Sequence, residues 1–181
     1  IGAGAGSLAV PLAKQGCDVT AVEQSPLMCA ALQQYRESED APPITIITRR
    51  WEDISQNDLH APYDVTIASY SLTMVDIVDA IRKIQDVTSG RVYLFWFLTP
   101  PSWAGVMRDL WPLLHHREYY SSPLSDCLWN VLYEMGIYAH IEVQNPAPPR
   151  IFETVDQAVR HMAGRLDCTE EWQIQLVTGY Y

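Results

Sequence analysis

The chain has 181 residues, of which 48% are apolar and 19% are charged, and this composition predicts a globular protein with a substantial core. The longest uninterrupted apolar run, residues 92–98, is too short to cross a membrane, and no stretch has the order of a secretory signal. A net charge of -10 argues against a nucleic-acid partner, because such binding depends on neutralising phosphates. The four cysteines lack zinc-site spacing, and they predict free thiols and a cytoplasmic location.

The first sixty residues predict two helices and two strands. Glycines at positions 2, 4 and 6 predict a tight turn, and a helix with apolar residues at regular spacing follows it until Gly16. Alternation over residues 18–23 predicts a strand, and Ser25 with Pro26 predicts the start of a helix that reaches about residue 35. Residues 44–48 predict the next strand. Because glycine-rich turns of this kind follow a strand, we expect an apolar strand ending in an acidic residue before Ile1.

The remaining chain continues the alternation of strands and helices. We predict strands over 64–68, 91–98 and 137–143, a turn at 89–90, a loop over 144–150, and helices over 75–85, 124–135 and 155–166. This order predicts an α/β fold: a doubly wound, mostly parallel sheet with helices on both faces, whose first strand precedes the sequence. We expect a single domain over residues 1–181. Within it, residues 99–125 are expected to form a lid or insertion on the acceptor side, and residues 147–181 a C-terminal extension.

Candidate site residues follow from the rule that ligands bind beyond the carboxyl ends of the strands in such sheets. Glycines 2, 4 and 6 allow the backbone of the turn to approach a ligand closely. Glu23 lies 21 residues after Gly2, at the end of the next predicted strand, which is the spacing at which a carboxylate binds ribose hydroxyls. We expect this acid to be exposed, so that its replacement would change stability little. A purely structural tight turn is the alternative.

The order GxGxG over residues 2–6, followed by Glu23, resembles motif I of the class I S-adenosylmethionine (SAM) dependent methyltransferases. The resemblance covers the chain to about residue 145, and residues 51–54, 68–72 and 93–97 are similar to those of uncharacterised members. It implies SAM as cofactor and a Rossmann-like methyltransferase domain. It also implies that Glu23 binds the ribose hydroxyls and that the other contacts come from the turn, the adenosine side and the methionine side: Gly2, Ala3, Gly4 and Gly6; Gln24, Trp51 and Glu52; Ser69 and Tyr70.

The acceptor predicted from the sequence is a small molecule. Residues 68–71 read Ala-Ser-Tyr-Ser where amino methyltransferases that act on nucleic acids or protein glutamine carry DPPY or NPPY. Eleven of the 19 aromatic residues lie between residues 93 and 138, and they predict either core packing or an aromatic-lined pocket over 100–125 for a flat or cationic acceptor. The acids of metal-dependent catechol-type methyltransferases are not recognisable, so we predict no metal. No catalytic residue is diagnostic, and Tyr70, His116 and Tyr119 are candidate general bases.

Two alternatives belong to other functional classes. The IGAGAG start with Val22 and Glu23 also resembles the start of NAD- or FAD-binding oxidoreductases, although Ser7 occupies the position of their third glycine and the chain is short. A SAM-binding module that methylates nothing, such as a sensor or a partner subunit, is the second alternative. No pattern in the sequence sets the oligomeric state.

Overall fold

The computed structural model describes residues 1–144 and 151–181, and it divides the chain into two compact units, Ile1–Phe97 (unit 1) and Leu98–Tyr181 (unit 2). Each unit has its own apolar core. The boundary between the two units lies close to residue 99, where the acceptor-side segment was expected to begin. The organisation as a single domain with a lid and a C-terminal extension remains a prediction. Across the described residues, no helix has both the length and the apolar character needed to span a bilayer.

Unit 1 alternates helices and strands as the sequence predicts. Its elements in chain order are α1 (Ala9–Lys14), β1 (Thr20–Val22), α2 (Pro26–Ser38), β2 (Thr45–Ile47), two 3-10 turns (Trp51–Asp53 and Gln56–Asp58), β3 (Tyr63–Ser69), α3 (Ile77–Asp86) and β4 (Thr88–Phe95). The predicted turn at 89–90 is wrong, because both residues belong to β4. A side chain at Gly90 would collide with the carbonyl oxygen of Asp64, so the glycine there lets β4 approach β3 closely.

Local capping explains where two of these helices begin. The Ser25 hydroxyl accepts a hydrogen bond from the backbone N–H of Met28, and Pro26 stands at the first helical position of α2. The Asp76 carboxylate accepts in the same way from the N–H of Asp79 at the start of α3. Both capping residues lie in segments that lead from the carboxyl end of a strand into the following helix.

The sheet is smaller than the predicted one. β1 pairs in parallel with β2, from Thr20 opposite Thr45 to Val22 opposite Ile47. β3 pairs in parallel with β4, from Tyr63 opposite Thr88 to Ser69 opposite Phe95. These are two separate two-stranded sheets, so the described residues do not form the expected continuous doubly wound sheet. Among the described residues, β1 and β3 each pair with one neighbouring strand.

Helices cover both faces of β1. Ala21 belongs to a core with Val10 of α1 and Leu32 of α2. The next residue, Val22, belongs to a different core with Ile84 of α3 and with Trp51. Since neighbouring residues of a strand point to opposite faces, α1 and α2 lie on one face and α3 on the other. The parallel pairing in both sheets and the two-sided packing of β1 agree with the predicted α/β class.

Unit 2 is helical throughout its described residues, with α4 (Ala104–His115), α5 (Ser125–Glu134), α6 (Val155–Arg165) and α7 (Glu171–Tyr180). The predicted helices over 124–135 and 155–166 are confirmed as α5 and α6. Residues from α4, α6 and α7 share one core with Leu166: Met107, Leu110, Leu114, Val159, Met162 and Val177. The predicted lid and the predicted C-terminal extension therefore pack against each other.

The predicted strand over 137–143 is wrong. The N–H of Ile137 donates to the carbonyl of Leu132 and so closes the end of α5, and the described residues 138–144 form no strand. Ile141 and Val143 are exposed, because the described part of unit 2 contains no strand edge with which an apolar alternating segment could pair. The predicted loop over 144–150 lies outside the described residues except for Gln144.

Candidate cofactor site

The glycine turn connects the start of the chain to α1 through backbone conformations that favour glycine. Gly2 has a φ of 63°, and a Cβ atom there would collide with the side chain of Ser71. The N–H of Ala3 donates to the carbonyl of Val22 at 3.0 Å, which fastens the turn to the end of β1. Because two segments meet at Gly2 with no room for a side chain, the turn is held tightly beside the carboxyl ends of the strands.

Glu23 follows β1 directly, and its carboxylate organises the turn. One carboxylate oxygen accepts the N–H of Gly4 at 2.8 Å, and the other accepts the N–H of Ser25 at 2.9 Å. The residue is only 8% exposed, so the expectation of an exposed acid is wrong. The reason is that the turn and the start of α2 both direct N–H groups at this position. A carboxylate has about four acceptor sites, and each oxygen of Glu23 therefore keeps capacity for one further donor.

A buried thiol lies behind Glu23. The Cys29 Sγ donates to the carbonyl oxygen of Glu23 at 3.5 Å, and it accepts from the Thr48 hydroxyl at 3.4 Å. The Glu23 N–H in turn donates to the carbonyl of Ile47 at 3.1 Å. The backbone of the acid is therefore held by α2 and β2 at once, which fixes the direction in which the carboxylate points.

A cavity of about 280 Å³ opens beside this carboxylate. It is lined by six of the ten residues predicted to bind cofactor: Gly2, Glu23, Gln24, Trp51, Glu52 and Tyr70. Ser71 also lines it, and the position of Ser71 at the end of β3 agrees with the rule that places ligands beyond the carboxyl ends of the strands. The volume lies near the lower end of the range of about 300–1,000 Å³ that is common for ligand pockets.

Trp51 lines this cavity but is almost fully buried. The residue is 4% exposed and belongs to the core that contains Val22 and Ile84. The indole N–H donates to the carbonyl oxygen of Ala80 at 3.2 Å, and the Lys83 ammonium lies 5.4 Å from the ring centroid. These contacts favour the packing interpretation of the ring, and adenine stacking on Trp51 remains a prediction.

Glu52, by contrast, presents a charged group at the rim of the cavity. Its carboxylate pairs with the guanidinium of Arg50 at 2.9 Å. The hydrogen bond from its own backbone N–H, supported by Arg50, holds the pKa of this carboxyl below its usual value. The Lys83 ammonium donates to the carbonyl oxygens of Trp51 and Glu52 at 2.9 and 3.0 Å and so fixes the short 3-10 turn.

Tyr70 stands at the opposite rim, where β3 ends. Its backbone N–H donates to the carbonyl of Phe95, and its φ of 54° is in the left-handed region, which is rare for a bulky residue. The ring is 56% exposed, and its centroid lies 4.4 Å from that of Phe97. This strained conformation turns an aromatic surface outward at the edge of the cavity.

The other predicted residues lie nearby but in different surroundings. Ala3, Gly4 and Ser69 line a larger neighbouring cavity, and Gly6 is buried, where a Cβ atom would come within 2.8 Å of Leu32. His116 and Tyr119, two candidate bases, belong to unit 2. Sequence reasoning missed Arg49, Thr73 and Met74, which also line the smaller cavity. These three residues lie shortly after β2 and β3, so the rule that ligands bind beyond the carboxyl ends of strands could have predicted them.

The described residues contain no group of histidine, cysteine and acidic side chains that could hold a metal ion. A family described as a methyltransferase domain matches residues 1–90. This part of the chain belongs to the class I SAM-dependent methyltransferase family. The matched region contains the segments that line the smaller cavity: residues 1–2 of the glycine turn, residues 22–24, residues 49–52, and the segment 70–74 that follows β3.

A curated relative of this chain is an uncharacterised protein of Haemophilus influenzae. The two are 32% identical over 146 residues, which cover 78% of this chain and 50% of the relative. The chain thus spans about half the length of the curated relative that it matches. Because the match is longer than the 97 residues of unit 1, it extends into unit 2.

The residues of the methyltransferase domain fit the adenosine part of SAM. The two free acceptor sites of the Glu23 carboxylate match two ribose hydroxyls, which are hydrogen-bond donors. The close approach at Gly2 keeps the turn free of side chains beside the cavity. Glu23, Gln24 and the backbone of the turn would hold this part of the ligand.

Proposed function

We propose that the protein binds SAM in the cavity beside Glu23 and transfers its methyl group to a small-molecule acceptor. The observation that carries the proposal is the Glu23 carboxylate, which is fixed by the glycine turn and by Ser25 and keeps one acceptor site on each oxygen. Membership of the methyltransferase family supports the choice of SAM over other ribose-containing ligands.

SAM, when bound, supplies an activated methyl group on a sulfonium, so the protein has to align the acceptor and exclude water. In this proposal Glu23 binds the ribose hydroxyls, and Gln24, Trp51 and Glu52 border the adenosine. Ser69 and Tyr70 at the end of β3 border the reacting end. A proton acceptor is required only if the acceptor atom loses a proton during transfer.

The acceptor side of the proposed site is aromatic. The ring centroids of Tyr70 and Phe97 lie 4.4 Å apart with the ring planes inclined at 37°, and the ring centroid of Trp96 lies 5.7 Å from that of Phe97. Such a surface supports a flat or cationic small molecule as acceptor, because aromatic faces attract both. A nucleic-acid acceptor is disfavoured by the net charge of -10. The four free thiols support a reducing, cytoplasmic location.

Calorimetric titration of the protein and of Glu23→Ala with SAM tests the assignment. Truncation removes charge-assisted hydrogen bonds worth about 1.5–3 kcal/mol, so we expect SAM affinity to fall about 10- to 150-fold. The SAM affinity of Glu23→Gln should lie between those of the parent and of Glu23→Ala, since the amide keeps one acceptor oxygen. Ser25→Ala is the matched control, because it removes the cap of α2 but keeps the N–H that donates to Glu23.

Equal SAM affinities in all four proteins would contradict the ribose assignment. If the parent protein binds NAD but not SAM, and Glu23→Ala loses the NAD binding, the result would favour the alternative of an NAD- or FAD-binding oxidoreductase. To find the acceptor, a cell extract is incubated with the protein and methyl-labelled SAM and then analysed by mass spectrometry. Tight SAM binding with no labelled product would favour a binding module without catalysis.

A further inference from the structure

The helix α3 is attached to two parts of the wall of the smaller cavity. Thr73 and Met74 line the cavity, and the chain passes from them through the capping residue Asp76 into α3. Trp51 and Glu52, which belong to the first 3-10 turn, form another part of the wall. Because one helix is connected to both segments, its side chains can fix the position of the 3-10 turn at the cavity.

Side-chain hydrogen bonds join α3 to this 3-10 turn. The indole N–H of Trp51 donates to the carbonyl oxygen of Ala80 at 3.2 Å. The Lys83 ammonium donates to the carbonyl oxygen of Trp51 at 2.9 Å and to that of Glu52 at 3.0 Å. Three hydrogen bonds therefore hold the turn against α3, and two of them come from the side chain of Lys83.

The ammonium of Lys83 is a charged donor in a half-buried position. An ammonium group loses hydration when it is buried, so it needs acceptors from the protein in return. Both acceptors are backbone carbonyls of consecutive residues in the same turn. Because charge-assisted hydrogen bonds are stronger than neutral ones, Lys83 holds this backbone more firmly than the neutral indole N–H does.

The contact with Lys83 also sets the orientation of the peptide group between Trp51 and Glu52. This peptide group is trans, so its carbonyl and its N–H point in opposite directions. Since the carbonyl points at Lys83, the N–H of Glu52 points away from it, and the Glu52 carboxylate accepts that N–H. Lys83 thus orients the backbone donor that holds a carboxylate at the cavity wall.

We propose that Lys83 is a positioning residue for SAM binding, which holds the 3-10 turn so that the Glu52 side chain stays at the cavity wall. This inference rests on the proposed function, in which Glu52 borders the adenosine. Lys83 is not one of the residues that line the cavity, so it acts through the turn. The alternative is that Lys83 supports only the core around Ile84 and Trp51.

Calorimetric titration of Lys83→Met with SAM tests the proposal, because methionine keeps an apolar side chain of similar length and removes the ammonium. We expect the affinity for SAM to fall about three- to tenfold. Lys14→Met is the matched control, since Lys14 also lies in the last turn of a helix but forms an exposed ion pair with Glu39. The control should change SAM affinity by less than about twofold.

A double-mutant cycle separates positioning from a purely structural role. In a Glu52→Ala background no Glu52 side chain remains to be positioned, so Lys83→Met should change SAM affinity by less than about twofold. In a Glu23→Gln background, which leaves Glu52 intact, Lys83→Met should keep its full effect. A role in the core alone would lower the affinity equally in both backgrounds.

The outcomes distinguish this inference from the proposed function. Equal SAM affinities of the parent and Lys83→Met would overturn the positioning role and leave the proposed function standing. Equal losses in the Glu52→Ala and Glu23→Gln backgrounds would overturn it as well. A parent protein that binds no SAM would overturn the proposed function and this role with it. If circular dichroism shows that Lys83→Met does not fold, Lys83→Gln takes its place in the same comparisons.

Discussion

Glu23 and Trp51 follow the neighbouring strands β1 and β2 at the same edge, yet the fold surrounds them differently. The Glu23 carboxylate accepts two backbone N–H groups beside a cavity. The Trp51 ring is covered by the core of α3 and makes one hydrogen bond, to Ala80. Both positions satisfy the rule that ligands bind beyond strand ends, so position alone does not separate a binding residue from a packing residue.

The difference lies in what each side chain requires from its surroundings. An indole ring has one polar atom, so a single carbonyl satisfies it and burial of the remaining surface is favourable. A carboxylate loses hydration on burial and needs several donors in return. It therefore lies where backbone N–H groups converge, and such a place also suits a polar ligand.

Replacing Trp51 with alanine should produce the largest effect on stability. A buried tryptophan truncated to alanine costs about 3–5 kcal/mol, while SAM affinity should change less than threefold if the ring only packs. Chemical denaturation followed by circular dichroism measures the first quantity, and calorimetry measures the second. Trp51→Phe, the conservative control, should lose less stability. A tenfold loss of SAM affinity in a folded Trp51→Phe protein would instead support adenine stacking.

Replacing Glu23 with alanine should cost about 1.5–3 kcal/mol of unfolding free energy, in addition to its effect on SAM affinity. The N–H groups of Gly4 and Ser25 would lose a charged acceptor. Denaturation of the ligand-free protein measures this cost, and Glu23→Gln should lose less. A ligand-free Glu23→Ala protein as stable as the parent would show that water replaces the carboxylate at no cost.

Replacing Tyr70 should lower activity toward the acceptor without lowering SAM affinity, because Tyr70 lies on the acceptor side of the proposed site. Asparagine tolerates the left-handed backbone better than tyrosine, so Tyr70→Asn should keep the unfolding free energy within about 1 kcal/mol. SAM affinity should change little, whereas kcat/KM for the acceptor should fall at least tenfold once an acceptor is known. Tyr70→Phe keeps the ring and should retain activity. Loss of activity in Tyr70→Phe would point to the hydroxyl group.

The smallest expected effect concerns Asp58 in the second 3-10 turn. The Ser55 hydroxyl and N–H, together with the Arg49 guanidinium, lower the pKa of Asp58 from 3.8 to about 2. A lowered pKa in the folded state stabilises the protein above pH 3.8, and this contribution is lost as the pH falls toward 2. The stability difference between the parent and Asp58→Asn should therefore shrink between pH 5 and pH 2. A difference that is constant over this range would contradict the pKa shift.

The fold class was predictable to the level of single elements because local patterns are strong in unit 1. The Ser25 and Pro26 signal located α2, and the two-sided apolar run of β4 located a strand. The separation of the strands into two sheets was not predictable from these local patterns, because strand pairing depends on contacts between segments that are far apart in the sequence. The segment over 137–143 shows the same limit: alternation without a partner strand gives an exposed chain.

The spacing of residues along the sequence predicted those contacts of the candidate site that depend on the path of the backbone. The distance from Gly2 to Glu23 predicted that the turn and the acid meet, and the N–H of Gly4 does donate to that acid. Spacing could not show that Ser25 shares the same carboxylate or that α3 would cover Trp51. Those contacts arise from packing between segments that are far apart in the sequence.

The buried thiol of Cys29 has a practical consequence for following the protein in solution. Cys17 and Cys127 are exposed, whereas Cys29 is enclosed behind Glu23 by Thr48 and α2. Alkylating reagents reach a buried thiol only when the structure around it opens, so the rate of Cys29 labelling reports how often the strand end comes apart. In a protein whose exposed cysteines are replaced by serine, the labelling rate of Cys29 measures how often this edge of unit 1 opens.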